Sequence, residues 1–180
     1  LPISTYGASK LASEGMISAY CHMFDVTAVV FRFGNVVGPR QTHGVGFDFV
    51  RNLLADGSRL AILGDGNQSK SYIHIDDVVS AVLHANDRCA GPCDVLNVAT
   101  GDTITVKEIA DLAVECVGLK VGSVDYHFSG GRRGWKGDVP VVRLDSGRMR
   151  SLGWDCRHSS HEALRRSLTA LVEDVRSGHI

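Results

Sequence analysis

Two hydrophobic rhythms alternate along the chain. From Tyr6 to about His22, apolar residues including Leu11, Met16, Ile17 and Tyr20 fall on most faces of a helical repeat. A helix that is apolar almost all round is buried or packs on a partner. Val26 to Phe33 is a continuous β-branched and aromatic run, the pattern of a strand buried on both faces in a parallel sheet. Gly46 to Ala55 predicts a helix ended at Gly57, with Phe47, Val50, Leu53 and Leu54 as its apolar stripe. Leu60 to Leu63 and Lys70 to Ile75 read as strands on either side of a Gly64-Asp65-Gly66 turn. Asp76 and Asp77 are placed to cap a helix through Val78, Val79, Val82 and Leu83. Asp94 to Ala99 is the next strand. Thr105-x-x-Glu108 is then a capping box for a helix through Ile109, Leu112, Ala113 and Val117 that stops at Gly118. Val121 to Phe128 predicts a strand, and the final helices begin near Asp145 and near Ser159, the latter with a second box to Glu162. Strands alternating with helices predict an α/β fold.

Composition narrows the function classes. With 19 basic against 20 acidic residues, nothing draws the chain in bulk to nucleic acid or to a membrane surface. No secretion signal and no apolar run long enough for a bilayer is present, so no membrane role is expected. The 5 cysteines are odd in number and none forms a Cys-x-x-Cys pair, which fits a reduced, cytoplasmic chain better than a disulfide scaffold. Cys89-x-x-x-Cys93 and His158-x-x-His161 are spaced somewhat like zinc ligands. The long stretch between them reads as separate elements, and no metal is expected.

The chemistry concentrates in Ser4-Thr5-Tyr6-Gly7-Ala8-Ser9-Lys10-Leu11-Ala12-Ser13-Glu14. Tyr6 and Lys10 lie one helical turn apart on a shared face. A neighbouring ammonium favours the phenolate, so a tyrosine in this pairing suits the task of a general base. The run resembles the active-site helix of the short-chain dehydrogenase/reductase superfamily. Three further stretches resemble its extended branch, which modifies nucleotide-activated sugars: Arg32-Phe33-Gly34-Asn35-Val36-Val37-Gly38-Pro39, the segment from Gly64 to Asp77, and Arg133-Gly134-Trp135-Lys136-Gly137-Asp138-Val139-Pro140.

That resemblance implies a Rossmann-type doubly wound sheet joined to a small α/β substrate-binding domain. No Gly-x-x-Gly-x-x-Gly turn opens the chain, so it is expected to be the C-terminal portion of such an enzyme. Residues 1–40 would be the remnant of the NAD-binding domain. Residues 41–180 would mainly form the substrate domain, with 69–100 returning to the Rossmann sheet. The resemblance further implies a homodimer through the Tyr6–His22 helix, NAD contacts from Tyr6, Lys10, Phe33 and Val36, and nucleotide-sugar contacts from Asn35, Val45, Gly46, Phe47, Lys70, Arg133 and Asp138.

Locally, Asn35 serves equally well to stabilise the turn into Gly38-Pro39, and the resemblance favours a substrate contact. Two departures from the family pattern fall on the phosphate-binding residues. Many relatives write Arg-Asp where this chain has Lys70-Ser71, and lysine keeps the charge without the two-pronged fork. Relatives also write Arg-x-Gly-Asp where Trp135 replaces the arginine and Arg133 stands two residues earlier. His74 reads as structural. The activity implied first is an NAD-dependent 4-epimerase of a UDP-hexose with Tyr6 as base. An NDP-sugar 4,6-dehydratase or UDP-glucuronate decarboxylase is the alternative, and a non-catalytic nucleotide-sugar-binding or dimerisation fragment is the alternative of another class.

Overall fold

The computed structural model describes residues 2–131 and 142–180. Helix α1 (Thr5–Phe24) leads into β1 (Ala28–Phe33) and β2 (Asn35–Val37), followed by α2 (Val45–Ala55) and β3 (Arg59–Ile62). Next come β4 (Ser69–Lys70), β5 (Tyr72–His74), α3 (Ile75–Asn86) and β6 (Cys93–Val98). The chain continues through β7 (Ile104–Thr105), α4 (Val106–Cys116), β8 (Asp125–Phe128), α5 (Gly147–Ser151) and α6 (Ser160–Arg176). Strand β1 pairs in parallel with β6, β2 with β5, and β3 with β8, whereas β4 pairs antiparallel with β7.

Two apolar cores form. In one, Phe49, Val50 and Leu53 of α2, Ile109 and Leu112 of α4, and Leu164, Leu168 and Leu171 of α6 close over Leu60 and Ile62 of β3. In the other, Leu96 and Val98 of β6 and Ile73 of β5 pack with Val78, Ala81 and Ala85 of α3 and with Met149 and Trp154. Strand β5 contributes to both, with Tyr72 in the first and Ile73 in the second.

Both expected capping boxes are present. Thr105 and Glu108 bond reciprocally at the start of α4, and Ser159 and Glu162 do so at the start of α6. Several expectations need correction. Strand β1 begins at Ala28, not Val26, and is half-buried over its first four residues, with Arg32 and Phe33 exposed. The Lys70–Ile75 strand is two short strands broken at Ser71. The Val121–Phe128 strand starts only at Asp125, after a turn. The helix expected near Asp145 is present and starts at Gly147.

In α2 the buried aromatic is Phe49. Phe47 lies at the edge of the core with the Arg51 guanidinium 5.5 Å from its ring centre. Helix α1 buries only Cys21 and leaves Leu11, Met16, Tyr20 and Met23 more than half exposed, so its apolar faces are uncovered in the monomer.

The cap of α3 is His74, not Asp76 or Asp77. Its Nδ1 accepts the Asp76 amide at 3.2 Å. Asp77, at 1% exposure, instead accepts the Arg157 and His158 amides and His158 Nδ1–H, the last at 2.9 Å. Arg166 donates to His158 Nε2 at 3.1 Å, and since a guanidinium only donates, the proton of that ring sits on Nδ1.

Two stability measurements follow from this packing. Leu171 is fully buried, and Leu171→Ala is expected to destabilise the chain by about 2–5 kcal/mol, read as a lower urea midpoint at constant slope. Burial pushes the His74 imidazole below its usual range, with Asp76 partly opposing. A depressed folded-state value means that the unfolded chain binds the extra proton first, below ~6.5, so stability is full above that pH and falls as the pH drops through it. The melting temperature is expected to fall between about pH 7.5 and 5.5, and to fall less in His74→Asn, which keeps a cap acceptor but cannot titrate.

Candidate active site

The site is built where the chain changes sheet partner. Gly34 donates its amide to Val98 at 2.9 Å, extending the β1–β6 ladder, and the next amide, of Asn35, donates to the Ser71 carbonyl at 3.0 Å to begin the β2–β5 ladder. A Cβ at position 34 would stand 3.3 Å from Ser71 Oγ, so a glycine allows the crossing. The Asn35 side chain donates to the same Ser71 carbonyl at 3.0 Å, which leaves Oδ1 as its remaining acceptor. Ligands in open α/β sheets bind beyond the carboxyl ends of strands, which is where this switch lies.

Ser71 is itself held from behind. Its hydroxyl pairs with Thr100 at 2.9 Å, Thr100 pairs with Ser160 at 2.9 Å, and Ser160 donates to Asp102 at 2.6 Å. Ser160 Oγ also accepts the Tyr72 amide at 2.9 Å, tying β5 to the first residue of α6. Burial pushes the Asp102 carboxyl up, but the bonds from Ser160 and Thr100 outweigh it and leave the group below the usual carboxylate range.

Tyr6 and Lys10 project from the first turns of α1, whose start is fixed by Ser4 Oγ accepting the Gly7 amide at 3.0 Å. Lys10 Nζ lies 5.4 Å from the centre of the Tyr6 ring, and Tyr6 is 71% exposed. Below them, Glu14 receives a two-pronged bond from Arg32, with Nε to Oε1 at 2.8 Å and Nη2 to Oε2 at 2.5 Å. The Arg32 bond holds the Glu14 carboxyl below its usual range despite some desolvation, and Glu14 raises Arg32 in turn.

A cleft of about 1840 Å³ joins these parts. Of the residues singled out from the sequence, Tyr6, Lys10, Phe33, Asn35, Val36, Val45, Gly46 and Lys70 line it. Phe47 does not, because its side chain packs along the edge of the core. Arg133 and Asp138 lie outside the described residues. Among the described residues no group of three or more His, Cys, Asp and Glu is placed to hold a metal ion, and no helix is long and apolar enough to cross a membrane.

Sequence reasoning passed over three parts of the site. The Glu14–Arg32 fork was written inside the quoted motifs, but its pairing joins residues far apart in sequence. The Ser71–Thr100–Ser160–Asp102 chain carries no local signature at all. Gln68, 4% exposed, lies across the Gly64 turn and donates to the Leu63 carbonyl at 3.2 Å. A Cβ on Gly64 would fall 1.5 Å from its nitrogen, so that turn requires glycine.

Residues 1–99 match the NAD dependent epimerase/dehydratase family, and the chain belongs to that family. It is 34% identical over 158 residues to UDP-glucose 4-epimerase of Mycolicibacterium smegmatis, covering 85% of this chain and 48% of that protein. It is 30% identical over 172 residues to dTDP-glucose 4,6-dehydratase of Streptomyces griseus, covering 88% and 52%. Its fold superposes on the crystal structure of UDP-glucose 4-epimerase with UDP-glucose from Thermotoga maritima with a TM-score of 0.84 at 30% identity, covering 97% of this chain and 55% of that one. The chain therefore spans about half the length of the relatives it matches. Its mixed α/β build, with small parallel strand pairs, is part of the Rossmann-type fold of these enzymes, and NAD is the cofactor by which the family is described.

Ser160→Ala removes a fully buried hydroxyl that accepts the Tyr72 amide and donates to Asp102. It is expected to cost about 1–3 kcal/mol in urea unfolding.

Proposed function

We propose that this chain supplies the general base and the nucleotide-sugar surface of an NAD-dependent epimerase that inverts C4 of a UDP-hexose through a transient 4-keto sugar. The observation that carries the reading is the Tyr6–Lys10 pair, stacked at 5.4 Å on the wall of a cleft that Asn35 and Lys70 also line.

The residues present suit the cofactor. Phe33 and Val36, 38% and 39% exposed, offer apolar surface to the cleft beside Tyr6 and Lys10, a fit for a flat nicotinamide ring and its ribose. When bound, NAD supplies a reversible hydride acceptor for the sugar carbon. Tyr6 takes the proton of the sugar hydroxyl and later gives it back. Lys10 stabilises the negative charge that develops on the Tyr6 oxygen and bonds the ribose. Lys70 and Arg133 hold the diphosphate, Asn35 and the backbone of Val45 and Gly46 position the sugar and diphosphate, and Asp138 is a further substrate contact. A tether at the diphosphate lets the keto sugar turn over without leaving the cleft.

In this reading residues 1–40 belong to the NAD-binding part and 69–100 rejoin it. The parallel pairing of β1 with β6 supports this, as does the shared core of Ile73, Leu96 and Val98. Residues 41–180 otherwise form the substrate part. The uncovered apolar faces of α1 support a homodimer through that helix.

The test is turnover by the intact protein. UDP-galactose is expected to convert to UDP-glucose with no net NADH, and Tyr6→Phe is expected to lower kcat by about 10²-fold or more. A 4-keto-6-deoxy product would move the protein to the dehydratases, and release of CO2 from UDP-glucuronate to the decarboxylases. The 180-residue chain by itself is expected to be inactive, and turnover from it would overturn that part of the reading.

A further inference from the structure

Glu14 follows Lys10 on α1 at the same four-residue spacing by which Lys10 follows Tyr6. Residues so spaced share a helix face, and a lysine and a glutamate there attract one another. The Lys10 ammonium therefore has a competing partner one turn away from the phenol. In the structure Glu14 is engaged elsewhere: Arg32 of β1 takes both carboxylate oxygens, at 2.8 and 2.5 Å. Lys10 lies over the Tyr6 ring at 5.4 Å.

We propose that Arg32 is a positioning residue that, by holding both oxygens of Glu14, keeps that carboxylate from drawing Lys10 away from Tyr6. The proposal rests on the reading of Tyr6 and Lys10 as the reacting pair. The fork is what matters: a guanidinium fills both oxygens in one plane, whereas an ammonium would occupy one point and leave the other oxygen open to Lys10. With Arg32 in place the Glu14 side chain is 18% exposed. A purely mechanical role, pinning α1 to β1, is the alternative, and the two differ in sign. If the fork only pins the helix, removing both charges does at least as much harm as removing one. If it shields Lys10, removing Glu14 as well relieves the harm done by removing Arg32.

Intact protein carrying R32Q, E14Q or both tests this in two ways. In crystal structures, R32Q is expected to bring Lys10 Nζ within ~4 Å of the Glu14 carboxylate, and E14Q/R32Q to return it to the Tyr6 ring. Lys10 remaining over Tyr6 in R32Q would overturn the proposal whatever reaction the protein performs. In kinetics, R32Q is expected to lower kcat about two- to fivefold with KM little changed, and the double variant to regain most of that loss. A double variant as slow as R32Q or slower would overturn the proposal in favour of the mechanical role. If the unaltered protein turns over no UDP-hexose, the reaction assignment fails and the crystallographic arm decides the proposal alone. Should R32Q not fold, R32K, which keeps the charge and loses the fork, is judged by the same two criteria.

Discussion

Two consecutive amides, of Gly34 and Asn35, hold the molecule together by pointing to different strands. One extends the ladder with β6, the other opens the ladder with β5, and each lies at ordinary hydrogen-bond length. Consecutive amides of an extended segment face opposite edges, so neighbouring residues can bond two different strands. The partner comes close at this point: a Cβ on Gly34 would stand 3.3 Å from Ser71 Oγ. The changeover carries the chain from one core to the other, and the cleft opens beside it. Asn35 belongs to this device as much as to any ligand site, because its side chain and its backbone donate to the same carbonyl.

Behind the changeover, buried polar groups link segments of the two cores. Ser71, Ser160 and Asp77 are all buried, and each is bonded to residues of a distant segment. Buried polar groups with all partners in place define one arrangement, since a slip of any member leaves a donor or acceptor stranded away from water. The start of α6 is gripped twice in this way, by Asp102 through Ser160 and by Asp77 through His158. The helix that contributes Leu164, Leu168 and Leu171 to one core is thereby keyed to the strands of the other.

Much of this was legible in the sequence, and the misses share a cause. Helix starts marked by Thr105-x-x-Glu108 and Ser159-x-x-Glu162 were read correctly because a capping box is made by residues three apart. The cap by His74 was not read, since an imidazole acts there only when burial and a neighbouring helix fix its ring. Phe49 was left out of the α2 stripe, which took in Phe47 at the edge of the core, because a stripe read without knowing which neighbour it faces is uncertain by part of a turn. The strand break at Ser71 and the hydroxyl chain behind it arise from tertiary bonding, which leaves no periodicity to read. For the site, eight residues singled out from the sequence line one cleft, because the motifs that carry them are contiguous runs. The Glu14–Arg32 fork lay within two such runs and was invisible as a pair.

Among the described residues helix α1 buries only Cys21, near its far end, and is tied to β1 by the fork at Glu14. Segments with so few buried contacts open at a fraction of the global unfolding free energy and form separate cooperative units, visible as fast amide exchange. Among the described residues, the wall of the cleft that bears Tyr6 and Lys10 has this character as long as no partner covers its apolar faces. Whatever occupies the cleft and bonds that wall must first bear the cost of ordering it, so occupancy and helix order are linked quantities, each raising the other by the same factor.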